Sequence, residues 1–460
     1  MGRERAVLVG VDRPEHEWPI EESLAELARL ADTDGADVVE TFVQRMSRPV
    51  PKTYIGQGKA QEVADAARSL EADVIIFDDE LSPSQQANLE RIVGHDIKVI
   101  DRTALILDIF GRHATTHEGR LQVQLAQNQY LLPRLRGMWS HLVREQTRGG
   151  IGSRFGQGES QLEVDRRMVR KRIQALTAEL ERLERRRGVQ SKARLSSGVY
   201  RVALVGYTNA GKSTLLNALT GADVYIKDEL FATLDPTTRT LELEEGRKVT
   251  LTDTVGFIQK LPTMLVEAFK STLAEVRSAD LILLVVDSSD PNAQKEIAAV
   301  ETILAEIGAQ EIERVIVYNK CDLLDEAERD GLRAHLSDAE FISALTGEGL
   351  RGLRYRVARQ ASLRDTTMTC LIPFASGRIA HLVHERCQVM REQYVQEGLL
   401  VTAKADAQMA QMLAPFEIED VAVAETEDGR DDLAWGWPEE ALEPALDVGD
   451  AAPATEGEPA

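Results

Sequence analysis

One eight-residue segment constrains what this chain can fold into more than any other stretch of its sequence. Residues 206–213 read Gly-Tyr-Thr-Asn-Ala-Gly-Lys-Ser, which fits the phosphate-binding loop pattern G-x-x-x-x-G-K-[ST] at every fixed position. The apolar run Arg201–Val205 before it is typical of a buried strand, and Thr214–Leu219 after it has helical spacing. A strand, this loop and a helix N-terminus together offer a nest of backbone N–H groups to phosphate. The segment predicts a P-loop domain of the α/β class with a mostly parallel sheet.

The residue types in this loop each have a predicted role. Gly206 and Gly211 let the chain wrap a phosphate without a Cβ in the way. Lys212 is expected to reach the β- and γ-phosphates, and the Ser213 hydroxyl is expected to bind Mg²⁺. The predicted nucleotide-binding residues of the loop are Gly206, Tyr207, Thr208, Asn209, Ala210, Gly211, Lys212 and Ser213.

A second motif predicts which base is bound. Residues Leu281–Asp287 and Val315–Tyr318 read as buried parallel strands, and the second runs directly into the sequence Asn-Lys-Cys-Asp at 319–322. The Asp322 carboxylate only accepts hydrogen bonds, so it can bind the ring N–H and the exocyclic amine of guanine, whereas adenine presents an acceptor there. The pattern therefore predicts GTP, and it resembles the guanine-specificity elements of translation-factor-related small GTPases.

Other residues are predicted to surround the guanine. Asn319 is expected to bond the other edge of the base, and the Lys320 stem is expected to lie over its face. The N–H of Ala344, which follows a short strand at 339–342, is expected to contact the guanine oxygen. The predicted base-binding set is Asn319, Lys320, Cys321, Asp322, Ser343, Ala344 and Leu345.

Two segments between these motifs are predicted to respond to the γ-phosphate. Asp253 is expected to hold Mg²⁺ through its water shell, and the N–H of Gly256 is expected to meet the γ-phosphate. Thr233 is our choice for the second Mg²⁺-binding hydroxyl, although an ordinary loop role stays open because several threonines lie close by. The predicted catalytic residues are Lys212, Thr233 and Gly256, and the further GTP contacts are Phe231, Ala232, Leu234, Asp235, Asp253, Thr254 and Val255.

Two positions bear on the mechanism. Many such GTPases place Gln directly after the glycine at 256, where it orients the attacking water, but this chain has Phe257, which cannot bond water. We therefore expect hydrolysis to be slow until a partner or another group completes the site. Asn209 could share a K⁺ ion with the phosphates, and a purely loop-stabilising role for this amide is equally open.

The composition limits the class of protein. No apolar run in the 460 residues reaches the ~18 that a membrane helix needs, and the start of the chain runs into a strand-like segment rather than a secretory signal. The three cysteines at 321, 370 and 387 show neither metal nor disulfide spacing. We expect a cytoplasmic monomer of two to four domains, with peripheral membrane association left open.

The charge balance is strongly acidic. A net charge of −22 speaks against nucleic-acid binding when taken alone. Part of it lies in a tail from about Glu417 onward, which the composition predicts to be disordered. The rest is spread along the chain, as in proteins adapted to concentrated salt, and is consistent with a halophilic archaeal source.

Against this background, residues 121–187 are distinctive. Two leucine-rich, heptad-like seams flank a glycine-rich loop at 149–158, which predicts an antiparallel helical hairpin with a kink at Pro133. Arginine pairs bidentately with phosphate, so a cationic hairpin tip predicts structured RNA as the partner, against the alternative of an ordinary solvated face. The arginines assigned to the tip are Arg134, Arg136, Arg144, Arg148 and Arg154, of which Arg144, Arg148 and Arg154 are the predicted RNA contacts.

Seven stretches of the chain match one family: Thr53–Lys59, Phe77–Gln86, Val99–Phe110, Leu121–Ala126, Gln161–Arg167, Phe231–Pro236 and Asp253–Phe257. On these stretches the chain resembles the HflX family of ribosome-associated GTPases. The hairpin loop departs from the family's Arg-Gly-Pro-Gly-Glu, because Arg154–Glu159 is one residue longer.

The resemblance implies a division of the chain and a function. It implies binding to the large (50S) ribosomal subunit and GTP-linked splitting or rescue of stalled ribosomes. A ribosome-assembly GTPase, or an RNA-binding scaffold in which the nucleotide is structural, are the alternatives. The C-terminal part reads as strand 366–374, helix 377–395 and strand 399–405. The expected domains are an N-terminal α/β domain (1–119), the hairpin (120–195), a GTPase domain (196–363), a small α+β domain (364–418) and an acidic tail (419–460).

Overall fold

The structure is a computed structural model, and residues 1–417 form one compact unit. Its first part is a parallel sheet with helices on both faces. The sheet order is β2-β1-β3-β4. The strands are β1 (Glu4–Asp12), β2 (Ala36–Arg45), β3 (Val74–Phe77) and β4 (Lys98–Asp101), and the helices are α1 (Ile20–Thr33), α2 (Gln57–Ser69), α3 (Pro83–Val93) and α4 (Arg102–His113). The described residues are 3–15, 18–94, 96–146, 157–195, 199–221, 230–231, 236–243, 247–260, 262, 265, 270–336 and 338–418.

This first part is the predicted N-terminal α/β domain. Helices α1 and α4 pack on one face of the sheet, and α2 and α3 pack on the other. The N-cap of helix α3 is Ser82, whose hydroxyl accepts the N–H of Gln85 while the Gln85 side chain accepts the N–H of Ser82. Such a reciprocal capping box satisfies two backbone donors that the first helical turn leaves free.

Two long helices follow, α5 (His117–Gln146) and α6 (Gln157–Leu195), and they pack against each other. His117 contacts Glu179 and Gln124 contacts Arg172, so the partner number falls as the first number rises. The hairpin is therefore antiparallel, as predicted. Pro133 lies inside α5, and its kink stays a prediction. Neither of these helices, nor any other helix in the described ranges, has the length and apolar character needed to cross a bilayer.

The structure corrects the assignment of Arg134 to the cationic tip. Its side chain is buried against the N-terminal domain, where Nη2 donates to the Leu81 carbonyl at 2.6 Å and to Asp101 at 3.3 Å. The guanidinium lies 3.5 Å from the centre of the Tyr130 ring. Helix α5 therefore uses this arginine to dock onto the sheet, a contact that the sequence does not encode locally.

Asp101 is the acceptor on which this docking depends. It is fully buried at the end of β4 and caps α4 by accepting the Ala104 N–H at 2.9 Å. It also accepts the Leu81 N–H at 2.9 Å and the Tyr130 hydroxyl at 2.8 Å. One carboxylate thus joins a strand end, a helix start and the base of the hairpin.

The second sheet belongs to the predicted GTPase domain and has the order β10-β9-β8-β5-β7-β6. All its pairings are parallel except that of β6 with β7. Helices α7 and α11 cover one face, and α8 and α9 cover the other. The elements are β5 (Tyr200–Gly206), α7 (Lys212–Thr220), β6 (Thr237–Glu242), β7 (Lys248–Asp253), α8 (Lys270–Arg277), β8 (Leu281–Asp287), α9 (Ala293–Glu306), β9 (Arg314–Asn319), α10 (Glu326–His335), β10 (Glu340–Phe341) and α11 (Leu350–Ser362).

The small C-terminal part contains one strand more than the sequence predicted. The predicted helix 377–395 is wrong beyond residue 386, because residues 388–395 pair antiparallel with the last strand. Most side chains of residues 388–395 are exposed, so no alternation of apolar and polar residues indicated a strand. The elements are β11 (Thr366–Pro373), α12 (Gly377–Arg386), β12 (Gln388–Val395), β13 (Gly398–Ala405) and α13 (Ala407–Leu413), with the sheet order β11-β13-β12.

Replacing Asp101 should destabilise the N-terminal domain severely. Asp101→Ala leaves buried Arg134 without its carboxylate and removes a helix cap, so we expect a loss of about 3–5 kcal/mol in the free energy of unfolding. The control Ser82→Ala removes an exposed cap from the neighbouring helix and should cost only about 1 kcal/mol. Urea denaturation of the two variants measures the difference, and equal losses would contradict the role given to Asp101.

Candidate functional site

The phosphate-binding loop lies where the sequence placed it, between the end of β5 and the start of α7. Gly206 has φ +156°, and a Cβ there would lie 2.1 Å from the carbonyl oxygen of Val285 on the neighbouring strand. Gly211 has φ +89°, and a Cβ there would lie 2.2 Å from Nδ2 of Asn319. Both glycines are therefore required by the close approach of neighbouring backbone and side chain, as well as by backbone conformation.

Lys212 is buried beneath this loop. Its Nζ donates to the carbonyl oxygens of Gly206 at 3.1 Å and Tyr207 at 2.7 Å. Burial lowers the pKa of Lys212 to about 8, against the opposing effect of the Asp253 and Glu296 carboxylates. A bound phosphate would add negative charge beside the amine and hold it protonated. The position fits the predicted contact with the β- and γ-phosphates.

The predicted magnesium ligands Ser213 and Asp253 are together. The Ser213 hydroxyl donates to Asp253 Oδ2 at 2.6 Å, and Asp253 is almost fully buried. Hydroxyl and carboxylate oxygens are donors that Mg²⁺ accepts, with its other positions filled by phosphate and water. In the part of the chain that the structure describes, no group of three or more His, Cys, Asp or Glu residues is placed to hold a metal ion by itself. The Ser213 hydroxyl and the Asp253 carboxylate fit a Mg²⁺ ion that also binds the phosphates of a nucleotide.

The segment around Thr233 is described only in part. Ala232, Thr233, Leu234 and Asp235 lie outside the described residues, so their roles stay predictions. Phe231 is described, and its ring meets that of Phe110 in the N-terminal domain at 4.5 Å between centroids. Phe231 is buried in the core around α4 rather than facing the phosphate loop.

Gly256 lies against the phosphate-binding loop. A Cβ on Gly256 would lie 2.8 Å from Cα of Thr208 and 3.1 Å from Nζ of Lys212. The next residue, Phe257, is hydrogen-bonded to the phosphate loop through its backbone. The Phe257 N–H donates to the Gly206 carbonyl at 3.1 Å, and the Phe257 carbonyl accepts the Thr208 N–H at 2.8 Å. Gly256 is thus beside the amine that is expected to hold the γ-phosphate.

The residues on either side of Gly256 are buried and contact the protein interior. The Thr254 hydroxyl donates to the Leu204 carbonyl at 2.7 Å, and Val255 packs with residues of the N-terminal domain. The Phe257 side chain is buried among the apolar residues of the second sheet. Its direction into the core explains why this position cannot supply a group that orients water.

The guanine end is formed by the loop after β9. Cys321–Leu323 form a short 3₁₀ turn, and Lys320, the residue before it, has φ +64°. The Lys320 Nζ forms an ion pair with Asp287 Oδ2 at 2.6 Å. Asp322 Oδ1 is buried and has no hydrogen-bond partner among the described residues. An unsatisfied buried acceptor suits a ligand that brings N–H donors, as guanine does.

Asn319 has a role that sequence reasoning missed. Its Nδ2 donates to the Ala210 carbonyl at 2.9 Å, and its Oδ1 accepts the Ala344 N–H at 2.9 Å. The Asn319 amide therefore joins the phosphate loop to the loop at Ser343–Leu345, instead of presenting both its Nδ2 and its Oδ1 to the base. A guanine oxygen would have to share the Ala344 N–H with Asn319. Cys321 and Ser343 are buried beside it, while Leu345 is exposed.

An acidic pocket beside the phosphate loop was also missed. Glu296 lies in it with Asp287 and Asp290, and Glu26 of α1 closes the other side with Arg29. Burial and these neighbouring carboxylates raise the pKa of Glu296 to about 8. No motif marks these residues. Glu26 and Arg29 lie on α1 of the N-terminal domain, whereas Asp287, Asp290 and Glu296 belong to the GTPase domain, so the pocket forms only when these two parts pack together.

Comparison with known proteins agrees with the geometry. Three family models match in succession, described as "GTP-binding GTPase N-terminal" (residues 21–111), "GTP-binding GTPase Middle Region" (113–194) and "50S ribosome-binding GTPase" (201–320). A GTPase HflX from Caldanaerobacter subterraneus subsp. tengcongensis is 46% identical over 417 residues, which are 90% of this chain and 94% of the relative. The chain belongs to the HflX family of GTPases.

Further relatives extend the comparison. GTPase HflX of Escherichia coli (strain K12) is 43% identical over 379 residues, 82% of this chain and 88% of the relative. A solved structure of a GTP-binding protein from Sulfolobus solfataricus in complex with GDP aligns with a TM-score of 0.41 and 25% identity, covering 78% of this chain and 99% of that one. As a member of the HflX family, this chain is a P-loop enzyme that binds and hydrolyses GTP.

Asp322→Asn should change the base that this HflX-family GTPase accepts. An amide keeps one acceptor but presents a donor to the guanine amine, so GTP affinity should fall by about 10²-fold or more, from the loss of charge-assisted hydrogen bonds. Xanthine has a carbonyl at that position and should gain affinity. Titration with fluorescent GTP and xanthosine triphosphate measures both. The control Asp325→Asn, at the exposed cap of α10, should leave the preference unchanged.

Glu296→Gln should change how stability depends on pH. A carboxyl whose pKa is raised to about 8 in the folded state keeps a proton that the unfolded chain releases above about 4.5. The free energy of unfolding therefore falls as pH rises from about 5 to 8, by up to about 1.4 kcal/mol per unit. Glu296→Gln should remove this slope, so it matches the parent near pH 5 and exceeds it at pH 8. Melting curves across this range test it, with exposed Glu311→Gln as control.

Proposed function

We propose that this HflX-family GTPase binds the large (50S) ribosomal subunit and uses GTP binding and hydrolysis to split or rescue stalled ribosomes. The observation that carries the proposal is a run of basic side chains on α6 in a chain of net charge −22. Arg167, Arg170, Lys171 and Arg172 are all exposed there. A basic face on a long hairpin suits the phosphate backbone of ribosomal RNA. The family description "50S ribosome-binding GTPase" over residues 201–320 supports the same partner.

The nucleotide controls docking in this proposal. GTP orders Thr233 and the segment after Gly256, and this fixes the hairpin on the subunit, while hydrolysis releases it. Arg144, near the end of α5, contacts ribosomal RNA together with Arg148 and Arg154, which lie outside the described residues. Because Phe257 is buried, a partner supplies the group that orients water, so hydrolysis by the isolated protein is slow.

The cofactors and cellular setting form part of the same proposal. Mg²⁺ binds through Ser213, Thr233 and the water shell of Asp253. K⁺ has a candidate ligand in Asn209, which is exposed on the phosphate loop with φ +62°. The protein acts as a cytoplasmic monomer, and cell fractionation tests its peripheral association with membranes.

Co-sedimentation with 50S subunits tests the proposal. Binding should be strongest with a non-hydrolysable GTP analogue and weaker with GDP or without nucleotide, by about 5- to 150-fold if coupling has its usual size. Lys212→Ala should abolish this nucleotide dependence. Splitting of mature 70S ribosomes should require GTP, and binding limited to immature subunits would instead support an assembly role.

Charge reversal on the hairpin distinguishes binding to the ribosomal subunit from binding of the nucleotide. Arg167→Glu, Arg170→Glu and Lys171→Glu together should weaken subunit binding about tenfold or more and flatten its salt dependence, while leaving GTP affinity unchanged. The same charge change on the N-terminal domain, made with Arg48→Glu, Lys52→Glu and Arg91→Glu, is the control. Equal losses in both triple variants would show a general charge effect and contradict hairpin docking.

A further inference from the structure

The last helix of the GTPase domain, α11, is basic in a chain that is otherwise acidic. Residues 349–364 contain no Asp or Glu, whereas the whole chain has a net charge of −22. Helix α9 of the same domain instead exposes Glu301 and Glu306. A charge run on a helix is ordinarily a solvated face, so the contacts of each arginine are needed to distinguish a structural role from a binding role. The five arginines of this segment are Arg351, Arg354, Arg356, Arg359 and Arg364.

Three of these arginines have partners within the protein. Arg354 donates to a backbone carbonyl at the end of β6. Arg356 forms an ion pair with Asp338 at 2.8 Å, and Arg364 pairs with Asp280. These three side chains attach α11 and the residues after it to the rest of the GTPase domain.

The other two arginines face solvent in line with a tyrosine. Arg351, Tyr355 and Arg359 are all exposed, Tyr355 by 51%, and they are spaced four residues apart, so they lie along one side of the helix. The opposite side packs into the core through Leu353 and Val357. Within the part of the chain that the structure describes, the Arg351 and Arg359 side chains form neither a hydrogen bond nor an ion pair. We call Arg351, Tyr355 and Arg359 the α11 stripe.

The acids that precede α11 in the sequence do not neutralise the stripe. Glu348 contacts Arg329 at 3.4 Å, and Asp338 is paired with Arg356. Burial raises the pKa of Glu340, and the nearby Arg356 only partly opposes this effect. Because guanidinium groups stay protonated in proteins, the stripe keeps two positive charges that are available to a partner.

The stripe has the chemistry of a site for single-stranded RNA. Guanidinium groups bind phosphate bidentately, and an aromatic ring stacks on an unpaired base. Eight residues of helix rise about 12 Å, so the ring lies between two cations that are separated by about that distance along the axis. A base can therefore stack on Tyr355 while phosphates on either side of it reach Arg351 and Arg359. A duplex keeps its bases stacked inside and offers this ring nothing to stack on.

We infer that the α11 stripe is a second RNA-binding surface of this protein, which holds single-stranded or looped RNA through one stacked base and its flanking phosphates. The inference goes beyond the proposed function, which places the RNA contacts on the hairpin. The stripe recognises RNA by its phosphates and unpaired bases, so it does not depend on the 50S subunit being the partner.

Binding of a short RNA to the full-length protein tests the inference. The probe is a fluorescein-labelled single strand of about 12 nucleotides, and fluorescence anisotropy measures its affinity. Tyr355→Ala should weaken binding about tenfold or more, because base stacking is lost, and Tyr355→Phe should restore it. Arg351→Gln together with Arg359→Gln should weaken binding to a similar extent. This double variant should also flatten the slope of log K against log salt by about 1.4, the value for two phosphates of a single strand.

Two other exposed arginines of the GTPase domain provide the matched control. Arg239→Gln together with Arg277→Gln removes the same charge from β6 and α8, and it should change the RNA affinity less than twofold. The proposed function gives the hairpin an RNA-binding face of its own. The stripe variants are therefore also made in the background of Arg167→Glu, Arg170→Glu and Lys171→Glu, where their effects should persist because independent sites contribute additively.

A cross-linking experiment locates the bound strand. A single strand that carries 4-thiouridine should cross-link to the peptide containing Tyr355 under ultraviolet light, and a duplex of the same sequence should not. GTP affinity should be unchanged in all the stripe variants, since none of the three side chains belongs to the nucleotide-binding motifs.

Several results would overturn the inference. An unchanged affinity for the single strand in folded Tyr355→Ala or in the Arg351 and Arg359 double variant would do so, as would an equal loss in the control pair. Displacement of the RNA by polyglutamate as effectively as by unlabelled RNA would assign the stripe to acidic protein segments instead. Circular dichroism establishes which variants are folded, and the double variant carries the test if Tyr355→Ala is not. Failure of 50S co-sedimentation with intact binding at the stripe would contradict the proposed function and support the separate surface.

Discussion

The guanidinium of Arg102 is the interaction on which the arrangement of this molecule most depends. It is 2% exposed and pairs with Glu26 and with Asp78, which are also buried. Isolated charges in such a place are prohibitively unfavourable, so each member requires the others. Because Glu26 lies on α1, Asp78 follows β3 and Arg102 starts α4, the set fixes three elements of one domain. Glu26 and Asp78 also bind groups of the GTPase domain, the Gln259 N–H and the Lys260 ammonium.

These groups make the contact between the N-terminal domain and the GTPase domain partly ionic. The contact is polar as well as apolar, because a backbone N–H and an ammonium from the segment after Gly256 bind carboxylates of the N-terminal domain. Leu230 and Phe231, from the other nucleotide-responsive segment, also enter the core of the N-terminal domain. Both segments that are expected to sense the γ-phosphate thus have one side on that domain. Val123 and Tyr130 of α5 belong to the same core, so contiguous side-chain contacts run from these segments to the base of the hairpin.

Much of the fold was predictable because the relevant signals are local. The strands beside the phosphate loop are continuous apolar runs, and Ser82 with Gln85 marks a helix start within four residues. The strand 388–395 was missed because its side chains are mostly exposed and its identity depends on pairing with residues 398–405. Arg134 was misplaced for a related reason: its partners, Leu81 and Asp101, are distant in sequence.

The sequence by itself determined the chemistry of the site, because phosphate and guanine recognition need particular residue types at fixed short spacings, as at 206–213 and 319–322. The roles of the glycines at 206 and 211 and of the carboxylate at 322 can be predicted without knowing which residues surround them. Only the tertiary structure decided how the site is connected. Asn319 bridges two loops, Glu296 shares a pocket with Glu26, and Lys260 pairs with carboxylates of the N-terminal domain. These arrangements join residues 25 to 270 positions apart, about which local spacing carries no information.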